Sequence, residues 1–283
     1  MSLALATPST KPQPRPYQRE AIDAVYSFWD EDPTKGALLV MATGTGKTFT
    51  ALQAVADFAE AGERVVWIAH RQELLDQPLE TLSRFWPHLA TKAGIVQADR
   101  DASDALLVFA SVDTLRNDKR LQAILDAGHP ALVVVDEAHH STTPTQQNAI
   151  QALTADGALR LGLTATPDRE DGADLSEHWE SVYSYSIIDA VRDGWLVPPY
   201  AAVARLSDLD LSDIGGGSDY DDAELGRRLL LAGIVDHTVA QLEATHLCQR
   251  LPSRDQTQYL TARGRSVLVY TATVEQARLT AEA

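Results

Sequence analysis

A short segment near the start of the chain, with the sequence TGTGKT, has the residue types and the spacing of a phosphate-binding loop. Its glycines allow backbone N–H groups to approach a phosphate, and a helix N-terminus behind it would add about half a positive charge. Lys47 would place its ammonium between the β- and γ-phosphates of ATP, and the Thr48 hydroxyl would coordinate Mg²⁺. The predicted ATP-binding residues of this loop are Thr43, Gly44, Thr45, Gly46, Lys47 and Thr48.

The loop departs from the general pattern G-x-x-x-x-G-K-[ST] at one position, because Met41 stands where that pattern has its first glycine. The alternative interpretation is an ordinary glycine-containing turn between a strand and a helix. The surrounding sequence favours the phosphate loop, since an apolar run over 37–41 precedes it and a helical pattern over 49–60 follows it.

A second candidate site is the pair Asp136-Glu137, which directly follows an apolar run. A carboxylate at the end of a buried strand is costly unless it meets a cation, and Mg²⁺ beside the nucleotide would supply one. We assign Asp136 to the metal and Glu137 to polarising the water that attacks the γ-phosphate in line. The predicted catalytic residues are Lys47, Asp136 and Glu137, and the predicted Mg²⁺ ligands are Thr48 and Asp136.

Two adjacent histidines, His139 and His140, follow the acidic pair and raise the alternative of a zinc site. Adjacent histidines point in different directions, and neither a Cys pair nor a third nearby ligand completes such a site. A hydrogen bond from His139 that couples the acidic pair to another part of the protein is the preferred interpretation.

These side chains must be positioned by a scaffold of strands. Apolar runs that end in polar residues and alternate with helical stretches predict an α/β fold with a doubly wound parallel sheet. The runs cover residues 37–41, 64–69, 106–110, 131–135 and 159–163. Because open α/β sheets bind ligands beyond the carboxyl ends of their strands, Arg71, Ser111, Thr114 and Thr164 stand where a ligand could reach them.

A helix upstream of the loop is predicted to begin near Tyr17 and Gln18, since apolar residues follow them at helical spacing. The Gln18 amide could read the adenine edge by donating and accepting hydrogen bonds, and Tyr17 or Arg15 could stack on the ring. The alternative is that Tyr17 and Gln18 are only the first turn of an amphipathic helix.

Length, composition and charge limit the class of protein. A chain of 283 residues that is 45% hydrophobic suits one large or two modest α/β domains. With a single cysteine, Cys248, and no apolar run near the roughly 20 residues that span a bilayer, we expect a cytoplasmic protein without a membrane partner. The net charge of −16 argues against a protein that coats nucleic acid through an excess of basic residues. It does not argue against a motor that binds a strand at a local site.

The order of the motifs resembles that of the DEAD/DEAH-box superfamily 2 helicases and translocases, in the branch that includes restriction-enzyme motor subunits. The motifs in chain order are RPYQREAI, MATGTGKT, WIAHRQELLDQ, FASVDTL, VVDEAHH and LGLTATPDR. The resemblance is dense over residues 15–200, and six ordered motifs are far more specific than one phosphate loop. It implies a RecA-like fold and hydrolysis of ATP, with Mg²⁺, coupled to movement along DNA, or alternatively RNA.

The same resemblance assigns roles that the residues alone do not. It makes Gln18 the residue that reads adenine. It implies contacts to the phosphates of a nucleic-acid strand for Arg71, Ser111 and Thr114, although the spacing of Ser111 and Thr114 is equally compatible with a helix cap. It implies a link between the ATP state and the grip on nucleic acid for Thr164 and Thr166, with which we group His139.

The predicted domains are unequal. We predict a flexible arm over 1–14, a RecA-like ATP-binding domain over 15–200, a linker with an acidic stretch and a helix over 201–264, and an incomplete second RecA-like domain over 265–283. Within the last segment we expect a strand and then a helix from about Val274.

In members of the family, arginines of the second domain stabilise the negative charge of the transition state, and such an arginine increases the rate by about 10³–10⁵-fold. We therefore expect this chain to bind ATP and to hydrolyse it poorly unless a longer or second chain supplies the rest.

Two alternative functions stay open at this point. One is a translocase that moves along duplex DNA without separating it, as restriction motors do. The other is a catalytically silent motor half that holds ATP or nucleic acid for a partner, which the early end of the chain favours. The intact Lys47, Asp136 and Glu137 argue against the silent form.

Overall fold

The computed structural model describes residues 13–70, 73–97, 100–140, 144–166, 178–198, 222–244, 247–250, 257–260 and 273–282. The chain divides into two compact units, Met1–Leu196 and Val197–Ala283. Every helix in the described part of the chain is too short or too polar to cross a membrane.

The first unit is built on an eight-stranded sheet. Its strands are β1 (Gly36–Met41), β2 (Val65–Ala69), β3 (Ala93–Gln97), β4 (Arg100–Asp101), β5 (Leu107–Ser111), β6 (Leu132–Asp136), β7 (Leu159–Thr164) and β8 (Trp179–Tyr185). They lie in the order β4-β3-β5-β2-β6-β7-β1-β8. All the described pairings are parallel except that of β3 with β4.

Helices cover both faces of this sheet. They are α1 (Pro16–Glu31), α2 (Lys47–Glu60), α3 (Glu73–Phe85), α4 (Pro87–Ala90), α5 (Val112–Leu115), α6 (Asp118–Asp126), α7 (Pro144–Thr154) and α8 (Ile187–Arg192). Alternate residues of β1 enter different cores, because Leu39 and Met41 pack with α1 to α4 whereas Leu38 and Val40 pack with α5 to α7. The predicted doubly wound parallel sheet is therefore confirmed.

The five predicted strands correspond to β1, β2, β5, β6 and β7, with ends that differ by one residue at most. Sequence analysis did not predict β3, β4 or β8. β8 lies at the edge of the sheet and is buried only at its two ends, so its sequence WESVYSY has no continuous apolar run. Only one residue of β3, Val96, is fully buried.

The second unit contains α9 (Asp222–Leu231), α10 (Ile234–Ala244), an antiparallel pair β9 (Leu247–Arg250) and β10 (Thr257–Leu260), and α11 (Val274–Glu282). The helix expected from Val274 is α11. Residues 261–272, where a strand was predicted, lie outside the described residues. The same holds for residues 1–12 of the predicted arm and for residues 199–221, which include most of the acidic stretch. The β9–β10 pair was not predicted.

A tryptophan on β8 explains why glycine is needed in β7. A Cβ atom at Gly162 would lie 2.7 Å from the Trp179 ring and 2.9 Å from Leu38 Cδ1, and both neighbours are buried. We expect Gly162→Ala to lower the free energy of unfolding by about 1–3 kcal/mol, measured by urea denaturation. Combining it with Trp179→Leu should recover part of that loss, and strictly additive effects of the two changes would contradict the steric explanation.

Candidate nucleotide-binding and catalytic site

The strand order brings the two chemical motifs to one edge of the sheet. β6, β7 and β1 are neighbours and run in the same direction, so their carboxyl ends lie side by side. Asp136 ends β6, Thr164 ends β7, and the phosphate loop follows Met41 at the end of β1. The edge at which α/β sheets bind ligands therefore carries all three.

The loop has the backbone that its glycines permit. Gly44 and Gly46 have φ angles of +86° and +81°, a region that side chains with a Cβ rarely adopt. Space adds a second requirement at Gly46, where a Cβ would lie 2.7 Å from Gln18 Nε2. Gly46 also precedes the first residue of α2, Lys47, so the positive end of that helix lies behind the loop.

Met41 does not need to be glycine in this fold. It is the last residue of β1, is fully buried and pairs with Tyr185 of β8. Its φ is not positive, since Glu137 is the one described non-glycine residue with a positive φ. The departure from the general pattern therefore falls on a position where a core side chain is required.

The start of α1 holds the loop in place. Thr45 is fully buried, and its carbonyl oxygen accepts hydrogen bonds from Tyr17 Oη at 2.7 Å and Gln18 Nε2 at 3.0 Å. Its hydroxyl donates to the carbonyl of Ala42 at 2.6 Å. The other end of the Gln18 amide accepts a hydrogen bond from the backbone N–H of Arg15. Tyr17 and Gln18 thus position the phosphate loop.

Stacking of Tyr17 on adenine, one of the two alternatives predicted for that ring, stays a prediction. The ring is 4% exposed and stacks on Tyr185 with centroids 4.2 Å apart, because its hydroxyl is drawn inward to the loop. Arg15, the other candidate, is exposed and lies over the Trp195 ring at 4.6 Å. Sequence analysis missed Trp195, an exposed aromatic residue that could have been noted as a second stacking surface.

The acidic pair occupies the end of β6. Asp136 is 3% exposed, and burial raises its pKa to about 6, while the charge of Lys47 opposes that rise. Its carboxylate accepts a hydrogen bond from the Glu137 N–H at 3.0 Å. Glu137 has φ of 52°, a strained conformation for a residue with a side chain. This backbone turns Glu137 towards the loop, and Lys47 Nζ lies 2.9 Å from its Oε1.

A chain of polar contacts continues from Glu137 to the end of β7. His139 Nδ1 lies 3.3 Å from Glu137 Oε2 and 2.9 Å from Thr164 Oγ1. The Thr164 hydroxyl donates to the carbonyl of Thr166 at 2.8 Å and therefore accepts from His139, which assigns the proton to Nδ1. The residues grouped for coupling, His139, Thr164 and Thr166, are thus in contact with one another.

The oxygen donors at this edge suit Mg²⁺. Asp136 and Thr48 offer a carboxylate and a hydroxyl, which are the hard ligands that this ion prefers, and a cation would offset the cost of burying Asp136. Across the described residues, no group of three or more His, Cys, Asp or Glu side chains could hold a metal ion.

Two of the residues predicted to contact a strand's phosphates, Ser111 and Thr114, lie at the carboxyl end of β5. Ser111 ends β5 and caps α5, with its Oγ accepting from Thr114 N at 3.2 Å and lying 2.7 Å from Thr114 Oγ1. These hydroxyls therefore form the helix cap that sequence analysis left open as their alternative role. Arg71 lies outside the described residues.

The chain matches known proteins over most of its first unit. The family model described as Type III restriction enzyme, res subunit, matches residues 11–169, more than half of the chain. The Type I restriction enzyme EcoAI endonuclease subunit of Escherichia coli is 27% identical over 84% of this chain and 30% of its own length. The DNA 3'-5' translocase XPB2 of Sulfurisphaera tokodaii is 29% identical over 56% of this chain and 32% of its own.

This chain therefore spans about a third of the length of such curated relatives. Among solved structures, a nuclease-deletion mutant of the Type ISP restriction-modification enzyme LlaGI with a DNA substrate mimic has a TM-score of 0.50 at 18% identity. It covers 82% of this chain and 23% of that enzyme, and shows a shared fold. On the family match, the chain belongs to the Type III restriction enzyme res-subunit family, within the restriction-motor-like branch of the superfamily 2 helicases.

Proposed function

We propose that this chain is the ATP-binding and ATP-hydrolysing part of a motor that moves along DNA as a helicase or translocase. The observation that carries the proposal is the 2.9 Å contact between Lys47 and Glu137, residues 90 positions apart in the chain. A phosphate-loop lysine and a catalytic carboxylate have to act on the same phosphate group, and the fold brings them to one point.

In this proposal each residue has a separate task. The backbone N–H groups of Gly44 to Thr48 and the Lys47 ammonium bind the phosphates of ATP. Asp136 and Thr48 hold Mg²⁺, which when bound neutralises charge on those phosphates. Glu137 orients the attacking water and accepts its proton, and it competes with the phosphates for Lys47, since both are anions within reach of one ammonium.

The proposed coupling follows the contacts from Glu137 to β7. A change in the position of Glu137 alters its contact with His139 and hence the hydrogen bond from His139 to Thr164. Thr164 in turn bonds the backbone of Thr166. The three residues thus give ATP hydrolysis a route to the segment that follows β7.

The choice of DNA as partner is supported by the relatives rather than by the site. One is a subunit of a DNA restriction enzyme and another a DNA translocase. We keep Arg71, Ser111 and Thr114 as proposed phosphate contacts, Gln18 as the proposed adenine reader, and RNA as the alternative partner.

The proposed domain limits are those expected from the sequence. Residues 15–200 form the motor domain, 201–264 the linker and 265–283 the beginning of a second RecA-like domain. The division of the chain after Leu196 lies close to the first of these limits and supports it.

The test is ATP turnover by this chain with and without single-stranded DNA, together with a nucleotide-binding titration. We expect micromolar-range or weaker binding of Mg·ATP and a slow turnover that DNA increases. Binding without turnover in either condition would mean that arginines of a second motor domain are needed for hydrolysis. Failure to bind Mg·ATP at all would contradict the proposed ATP site. Parallel samples with RNA and with duplex DNA identify the polymer, because the preferred one should give the largest stimulation.

A further inference from the structure

One helix lies between the ATP site and the strands that carry the proposed DNA contacts. β6, which ends in Asp136, is the neighbour of β2, and β2 is the neighbour of β5. α7 begins at Pro144, shortly after His140, and packs against both β6 and α5. A displacement of the segment after the acidic pair would therefore be passed to α7 directly.

A polar contact joins this helix to the end of β2. Gln146 in the first turn of α7 is 5% exposed, and its Nε2 lies 3.2 Å from Nδ1 of His70. His70 directly follows β2 and precedes Arg71. The two residues are 76 positions apart, so only the fold brings them into contact.

The surroundings of the Gln146 amide show that stability alone does not explain a glutamine at this position. Gln146 and His70 line a small pocket whose other lining residues are apolar, namely Ile68, Val112, Leu115, Val135, Ala149 and Ile150. Gln146 Oε1 is buried without a hydrogen-bond partner among the described residues. An unpaired buried acceptor is unfavourable, so a leucine of similar size would suit these apolar surroundings better. A buried polar group that is only partly paired calls for an explanation, and a functional task is one.

We propose that the Gln146–His70 hydrogen bond is a positioning contact that links the nucleotide state of the acidic pair to the strand-binding end of β2. This inference rests on the proposed function and deepens it. α7 moves as one body, and its apolar contacts with Val112 and Leu115 of α5 carry the same displacement towards Ser111 and Thr114. The hydrogen bond adds a directional contact that is made in one position of the helix and lost in another.

The experiment measures the affinity of the chain for fluorescently labelled oligothymidylate with and without a non-hydrolysable ATP analogue and Mg²⁺. Its readout is the ratio of the two dissociation constants. A net hydrogen bond of 0.5–1.5 kcal/mol corresponds to a factor of about 2–10, and we expect Gln146→Leu to reduce the ratio by that factor. Gln146→Glu has no N–H to donate to His70 Nδ1, so it should reduce the ratio as Gln146→Leu does.

Controls separate a positioning role from a structural one. Asn148→Leu changes an exposed residue of the same helix and should leave the ratio unchanged. His70→Leu combined with Gln146→Leu should reduce the ratio no further than either change alone. A ratio unchanged in Gln146→Leu, with only a shifted melting temperature, would overturn the inference and leave the proposed function standing. If the unmodified chain binds oligothymidylate in neither condition, the proposed DNA function fails and this inference fails with it.

Discussion

Replacing Lys47 with alanine is expected to reduce ATP turnover by about 10²–10³-fold, the effect of removing one preorganised charge donor from a reacting centre. The Lys47 side chain is only 11% exposed, and its Nζ lies 2.9 Å from Glu137. Binding of ATP, followed by titration with a fluorescent analogue, should fall below detection, because the phosphates would lose their main cationic partner.

The matched control for this change is Lys35→Ala. Lys35 is 47% exposed, and its Nζ lies 3.7 Å from Glu180, so its loss should leave turnover unchanged and alter stability by less than about 1 kcal/mol. Circular dichroism of both variants checks that the sheet is intact. Normal turnover by a folded Lys47→Ala protein would remove the basis for the proposed ATP site.

Replacing Arg64 with methionine is expected to destabilise the first unit by about 3–5 kcal/mol, since it removes a buried charge donor and leaves its acceptors unpaired. Arg64 is 9% exposed at the amino end of β2. Its guanidinium donates to the backbone carbonyls of Ser103, Ala105, Ile124 and Gly128. One side chain thus joins the loop that precedes β5 to the carboxyl end of α6 and the loop between α6 and β6.

The measurement is urea unfolding followed by tryptophan fluorescence, compared with Arg116→Met as a control. Arg116 is 52% exposed and pairs with Asp113 at 2.9 Å, so its loss should change the free energy of unfolding by less than about 1 kcal/mol. Arg64→Lys should recover little, because one ammonium cannot reproduce a planar fork of donors. Equal stability of the Arg64 and Arg116 variants would show that solvent replaces the guanidinium at these carbonyls.

The sequence alone predicted those parts of the protein that depend on neighbouring residues. The phosphate loop was predictable because its glycines, Lys47 and Thr48 are consecutive and act through one turn. The central strands were predictable because a strand buried on both faces is a continuous apolar run, as in LLVM and LVVV. Asp136 was recognised for a related reason, since a carboxylate at the end of such a run needs a cation.

The sequence did not predict features that depend on partial exposure or on contacts between distant residues. β8 was missed because an edge strand is buried only in part. The packing of Tyr17 on Tyr185 and the hydrogen bonds of the Arg64 side chain to carbonyls before β5 were not predicted. None of these contacts has a sequence pattern, because each depends on the position of a distant residue.

Residue types and spacing thus determined the chemistry that we propose for this chain: phosphate binding, a metal-side carboxylate and a base. Only the tertiary structure decided that Lys47 meets Glu137, that His139 meets Thr164 and that Gln146 meets His70. The physical reason is the order of the strands. Local sequence specifies that a segment is a strand, whereas its neighbours in the sheet are chosen by the packing of the whole domain.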